Sequence, residues 1–299
     1  MNDTGSLWAV FTIIAAASQT VRNAMQRGLT GTLGTVGATH VRFLFGAPFA
    51  LVFLLGLTIA TGAALPRPGA IYWPWVVAGA LTQILATALM LAAMAERSFV
   101  VAYAYIKTEP VQVALFGLVF LGDKVTLPMS VAIIVATAGV VVMSVKPGGF
   151  TGGVKPTIIG LASGAMFALS SIGYRGAVLN LTDVSFVMAA TFTLVIGLVM
   201  QAALLSLYLA LRDRAVLVAI ARAWRPSLFA GFMGALASQF WFIAFALTDA
   251  ARVRTLALIE VPLAQAVSLK MFREPPSLRE GIGMSLIVIA AAILVWTAG

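Results

Sequence analysis

Ten apolar runs leave this chain almost no way to fold in water. They lie at 7–26, 36–60, 71–94, 99–121, 127–145, 157–178, 184–211, 226–247, 252–271 and 279–298, and each is close to the ~20 residues a helix needs to cross the hydrocarbon core of a bilayer. Charged residues make up only 10% of the chain and hydrophobic ones 61%, whereas soluble domains carry roughly a quarter charged. The runs are continuous and show no strict alternation, so they do not fit barrel strands, which are about ten residues long and alternate. The expected fold is an all-α membrane protein of about ten transmembrane helices.

Two of the runs break the apolar rule in the same way. Phe99 to Asp123 carries Lys107, Glu109, Pro110 and Gln112 near its middle, and Ala250 to Glu274 carries Glu260, Pro262 and Gln265. Polar groups at that depth are costly and need protein or water around them, so both helices should face a cavity. Glu109 precedes Asp123 by 14 residues and Glu260 precedes Glu274 by 14, a common offset of 151. Half-way along the chain, Lys146-Pro147-Gly148-Gly149-Phe150-Thr151-Gly152-Gly153-Val154-Lys155-Pro156 is the only linker-like segment, because its glycines and prolines cannot continue a helix. The chain therefore reads as two five-helix repeats, 1–150 and 151–299. Five is odd, so the two repeats would enter the membrane in opposite senses around a central cavity, a plan that recurs in secondary transporters. Such a carrier works by alternating access.

Further polar residues mark helix faces. Gln19, Arg22, Asn23 and Gln26 follow helical spacing, so they share one face that either lines protein or water or ends in an arginine snorkelling to the headgroups. His40, the only histidine, is read as a satisfied core or interfacial residue or as a proton carrier. Tyr103 and Lys107 stand four apart on one helical face, and Glu109 belongs to a second stripe. Tyr72, Trp73 and Trp75 read as an interfacial aromatic belt. Gln83, Gln239 and Trp241 are amphipathic groups suited to a cavity wall, and a buried indole N–H seeks an acceptor. The candidate substrate-binding set is thus His40, Gln83, Tyr103, Lys107, Glu109, Gln239, Trp241 and Glu260, with Glu109 and Glu260 as equivalent carboxylates held by Arg42, Lys107, Arg175 or Arg254.

The net charge of +9 is spread among short loops and forms no basic block interleaved with aromatics, so it reads as orientation charge and not as a nucleic-acid surface. Counted over the loops, the Lys/Arg bias leans toward periplasmic termini, mostly through the second half. The segment before Leu7 lacks the features of a cleaved signal, so the first span is expected to be retained. With no cysteine there is no disulfide, thiolate nucleophile or Cys-ligated metal. With a single histidine and no Gly-x-Ser-x-Gly elbow, an intramembrane enzyme is hard to assemble. No cofactor or metal is expected. A channel would usually carry rings of equivalent polar residues from symmetric subunits, which an internal repeat does not supply.

Across essentially its whole length the sequence resembles the drug/metabolite transporter superfamily in its ten-helix EamA-type branch. The resemblance rests on Pro110 followed by Phe120-Leu121-Gly122-Asp123, on Pro262 followed by Met271-Phe272-Arg273-Glu274, and on His40-Val41-Arg42-Phe43-Leu44-Phe45-Gly46-Ala47 in the second span. Within that branch it is most similar to YddG-type aromatic amino-acid exporters. Asp123 stands where the branch usually has glutamate, at a helix end, which makes the position structural. The resemblance implies export of a small-molecule substrate, an amino acid or similar metabolite, from cytoplasm to periplasm across the bacterial inner membrane. A cavity with such amphipathic groups would also suit a lipophilic drug. Two halves in one chain would let a monomer function within the lipid bilayer.

Overall fold

The computed structural model describes residues 6–96, 106–144, 154–262 and 277–297. Its elements are helices: α1 (Leu7–Leu44), α2 (Gly46–Thr61), α3 (Tyr72–Glu96), α4 (Glu109–Phe116, continued by a wide turn over Gly117–Leu121), α5 (Leu127–Ser144), α6 (Val154–Leu179), α7 (Phe186–Arg212), α8 (Arg214–Arg222), α9 (Trp224–Leu247), α10 (Ala250–Leu256, continued by a tight turn over Ala257–Ile259) and α11 (Leu278–Trp296). No strand occurs among the described residues. Six stretches are long and apolar enough to cross a membrane, and Glu109–Leu121 and Leu127–Val142 are shorter apolar helices.

The first of these stretches, Leu7–Thr61, is 55 residues long and makes two crossings. Gln26 Nε2 donates to the Ala38 carbonyl at 2.9 Å, whereas twelve residues of straight helix would separate them by about 18 Å. The chain folds back between them at Gly34, whose φ of 65° and ψ of 176° lie outside the helix in a region that only glycine enters readily. Where the sequence alone separates spans at 26 and 36, the helix in fact runs up to this hinge and resumes directly after it. The interruption at Phe45 has a different cause. Pro48 has no N–H to give the Leu44 carbonyl, and its ring crowds that group.

Local chemistry sets the other boundaries. Ser185 accepts from Met188 N at 3.3 Å at the start of α7, and Ser277 and Glu280 form a reciprocal capping box on α11. Gly62 and Gly122 close α2 and α4 in the left-handed conformation. The segment 211–226, which reads as a basic loop in the sequence, contains a helix. Asp213 caps α8 through Val216 N, and Val216 and Ile220, four apart, turn its apolar side onto Gly37 of α1.

The most extensive packing joins α1 to α9, α3 to α6 and α5 to α11, with α2 on α7 and α4 on α10. Glycines set the closest approaches. A Cβ on Gly173 of α6 would stand 2.6 Å from the Gly79 nitrogen of α3, and one on Gly139 of α5 would stand 2.7 Å from the Gly283 carbonyl of α11. Without a hydrophobic drive between helices in lipid, such close contacts supply the association energy. Large apolar side chains such as Ile59, Val119 and Leu127 project outward, as a lipid-facing surface requires.

The belt reading of Tyr72, Trp73 and Trp75 fails for Tyr72. Trp73 is exposed, but Tyr72 is fully buried and donates to Thr193 Oγ1 at 3.4 Å, and Trp75 packs its ring over Gly176. A hydroxyl partner makes the interior available to Tyr72. The reading of the positive charge as loop charge is also incomplete, because Arg22, Arg42, Lys107, Arg175 and Arg254 are all buried.

Candidate functional site

Two broken helices build the centre. The fourth span is interrupted by a turn at Lys107–Thr108 and restarts at Glu109, with Pro110 in its first turn. The ninth tightens over Ala257–Ile259 and is helical again from Glu260, two residues before Pro262. Proline suits the first turn of a helix, where its missing N–H costs nothing. Glu109 thus stands at the start of a restarted helix, where the positive end of the backbone dipole favours a carboxylate, and Glu260 directly follows the tightened turn.

The two carboxylates pair crosswise between the halves. Lys107 Nζ bonds Glu260 Oε1, and Arg254 Nε lies 3.0 Å from Glu109 Oε1. All four residues are buried. Arg254 also donates to Ser171 Oγ at 2.9 Å and lies 4.7 Å from the centroid of the Trp241 ring, a cation–π distance. Trp241 Nε1 donates to Gln19 Oε1 at 3.1 Å, and Gln19 Nε2 reaches Glu260 Oε2 at 3.4 Å. Five helices therefore meet in one polar network.

A small cavity of about 10 Å³ lies within it, room for about one water. Gln19, Arg22, Asn23, Lys107, Glu109 and Arg254 form its polar side. Met90, Ile106 and Phe167 form its apolar side.

Of the eight sequence-derived site residues, Lys107, Glu109, Trp241 and Glu260 converge here. Tyr103 lies outside the described residues, as do Gln265 and Glu274. The other three make their bonds elsewhere. Gln83 Oε1 accepts from Gln201 Nε2 at 2.9 Å and from the Tyr174 hydroxyl at 3.4 Å. Gln239 Nε2 donates to Thr191 Oγ1 at 2.8 Å, and His40 Nε2 lies 2.9 Å from Ser206 Oγ. Gln19, Asn23 and Ser171 are members that the candidate set does not contain. Arg22 is only 1% exposed, so it faces the interior and does not snorkel. Its position on the helical stripe with Gln19 and Asn23 was the available signal.

Arg42 and Arg175 do not hold the two glutamates. Arg42 donates to Thr87 Oγ1 at 3.2 Å and to Ser238 Oγ at 3.5 Å. Arg175 sits at one end of the bundle, where Nη1 lies 2.6 Å from Asp123 Oδ1 and Nη2 lies 3.2 Å from Asp249 Oδ1, and Nε donates to the Thr248 carbonyl. In the loop beyond α4, burial pushes the Asp123 carboxyl above its usual range against the pull of Arg175.

Comparison with known proteins gives this arrangement a context. Residues 4–145 match the EamA-like transporter family. No curated protein matches the sequence closely. A solved crystal structure matches the whole fold with a TM-score of 0.69 at 19% identity, covering 100% of this chain and 98% of that one. At that identity the likeness speaks for the fold alone. The matched family is one of transporters, and the match stops just short of half of this chain.

Proposed function

We propose that the chain is a secondary transporter that exports aromatic or hydrophobic amino acids across the bacterial inner membrane by alternating access, with residues 1–150 and 151–299 as inverted repeats and the termini periplasmic. The observation that carries this reading is the crosswise ion pairing of Lys107 with Glu260 and Arg254 with Glu109. Each pair joins one half to the other at a helix break, so opening the centre to either side requires separating them. A zwitterionic amino acid offers one group of each sign and compensates both, which lowers the cost of that separation.

Packing supports the two-repeat part. If each span has its counterpart five spans later, the contact of the first with the eighth maps onto that of the third with the sixth. Fifth with tenth, fourth with ninth and second with seventh each map onto themselves. These are the pairings observed for α1 with α9, α3 with α6, α5 with α11, α4 with α10 and α2 with α7. The breaks before Pro110 and Pro262 fall at equivalent places. Two repeats in one chain complete the site, so a monomer suffices. Met90, Ile106 and Phe167 give the centre an apolar wall, which would meet a large apolar side chain once the crossed pairs separate and the cavity widens. The same wall favours, as a second reading, a lipophilic drug.

Counterflow in proteoliposomes tests the proposal. Internal unlabelled phenylalanine is expected to accelerate uptake of labelled phenylalanine, with tryptophan and leucine competing and a cationic dye not. Exchange of the dye with no exchange of amino acids transfers support to the second reading. Failure of both, with a folded protein, rejects transport of these classes.

A further inference from the structure

One strongly charged surface takes no part in the centre. The stretch from the end of α7 to the start of α9 holds Arg212, Arg214, Arg222 and Arg225 against a single acid, Asp213, and that acid accepts from Val216 N at the start of α8. All four arginines are exposed. Among the described residues none of them has an acid within ion-pair distance. Arg225 lies over the Trp224 ring, 5.4 Å from its centroid, which keeps its guanidinium beside the end of α8.

The same segment carries an apolar groove. Helix α8 joins the ends of two crossings, so it lies where the bundle leaves the hydrocarbon, and half-exposed Tyr208 and Trp224 flank it as aromatic rings do at a bilayer interface. It packs beside the hinge at Gly34, where the first crossing turns into the second, through Val216 and Ile220 on Gly37. Ala215, Val218, Ala219 and Arg222 stand three and four apart and share a neighbouring face. With Thr32 and Leu33 of α1 they line a groove of about 600 Å³, a size within the range of small-ligand pockets. The row is apolar until Arg222 ends it.

We infer that this groove binds an anionic phospholipid, its phosphate on Arg222 and Arg225 and an acyl chain along Val218 and Leu33. A free anion would use the arginines and leave the apolar row bare. A zwitterionic lipid would cover the row but bring a cation toward four arginines. An amphipathic basic helix at a bilayer surface gains both from burying its apolar side and from drawing anionic headgroups to its cations. With periplasmic termini this is the cytoplasmic face. A lipid so placed braces α8 against the hinge between the first two crossings.

Titration of the purified full chain in detergent with phosphatidylglycerol or phosphatidylcholine, at fixed ionic strength and with bound lipids counted by native mass spectrometry, tests the assignment. Each arginine at a headgroup is worth about fivefold in affinity, so phosphatidylglycerol is expected to bind at least about tenfold tighter than phosphatidylcholine. Arg222→Gln combined with Arg225→Gln should remove most of that preference. Arg67→Gln, which removes one exposed charge from the connection between α2 and α3 at the other face, should leave it unchanged. Val218→Trp fills the groove without altering charge and should weaken both lipids. Equal binding of the two lipids by the wild type overturns the proposal, and so does an intact preference in the double arginine variant. Displacement of phosphatidylglycerol by equimolar inorganic phosphate identifies a free-anion site and overturns the lipid. A fall from dimer to monomer in Val218→Trp with lipid binding unchanged identifies a contact between copies and overturns it as well. If the double variant does not fold, the wild-type comparison and Val218→Trp still decide.

Discussion

Two ion-pair networks tie the halves of this protein together, one at the centre of the bundle and one at its loop end. At the loop end a single arginine, Arg175, is shared by Asp123 and Asp249, and Arg252 stands 3.9 Å from Asp249. The acids there come from short connections, and the Asp249 side chain is 26% exposed. Two acids face two bases. At the centre Glu109 begins a restarted helix, Glu260 follows a tightened turn, and both carboxylates and the cations paired with them are buried. A network that only fastens helices can balance its charge and accept partial hydration. A network whose ion pairs are withdrawn from water is costly to open, and a bound zwitterion would offset that cost.

The largest expected effect is at the centre. Glu109→Gln strands the Arg254 guanidinium in the interior, which should lower stability by about 3–5 kcal/mol in unfolding of the purified protein and abolish exchange. Unfolding at wild-type temperature with exchange retained would remove the distinction between the two networks.

A smaller change is expected at the loop end. Arg175→Gln removes two charge-assisted bonds that are partly hydrated and should cost on the order of 1–3 kcal/mol while leaving a measurable fraction of exchange. Complete loss of exchange by a folded Arg175→Gln would mean that the loop end is itself part of the substrate path.

Much of the architecture could be read in advance, because a residue's membrane environment is written in long apolar runs. The breaks at Lys107–Thr108 and Ala257–Ile259 follow from Pro110 and Pro262, which stand in spans too polar for lipid. Which cation meets which carboxylate could not be read. Lys107 lies two residues from Glu109 yet bonds Glu260, since the crossing depends on how α4 packs against α10 and not on sequence neighbours. Arg22 was ambiguous because a polar stripe near the end of a span looks the same whether it reaches headgroups or the interior. Helix α8 was hidden by the arginines around it, and its apolar turn gains meaning only with Gly37 beneath it. Tyr72 looks interfacial until a hydroxyl at Thr193 is brought to it.

The account depends most on the crossed pairs belonging to a site that works, and a charge exchange tests this most directly. Labelled phenylalanine counterflow would be measured in proteoliposomes carrying Lys107→Glu, Glu260→Lys or both. Each single variant buries two like charges against each other and should lose exchange, and the double variant should regain part of it. Exchange at the wild-type rate by either folded single variant would contradict the account.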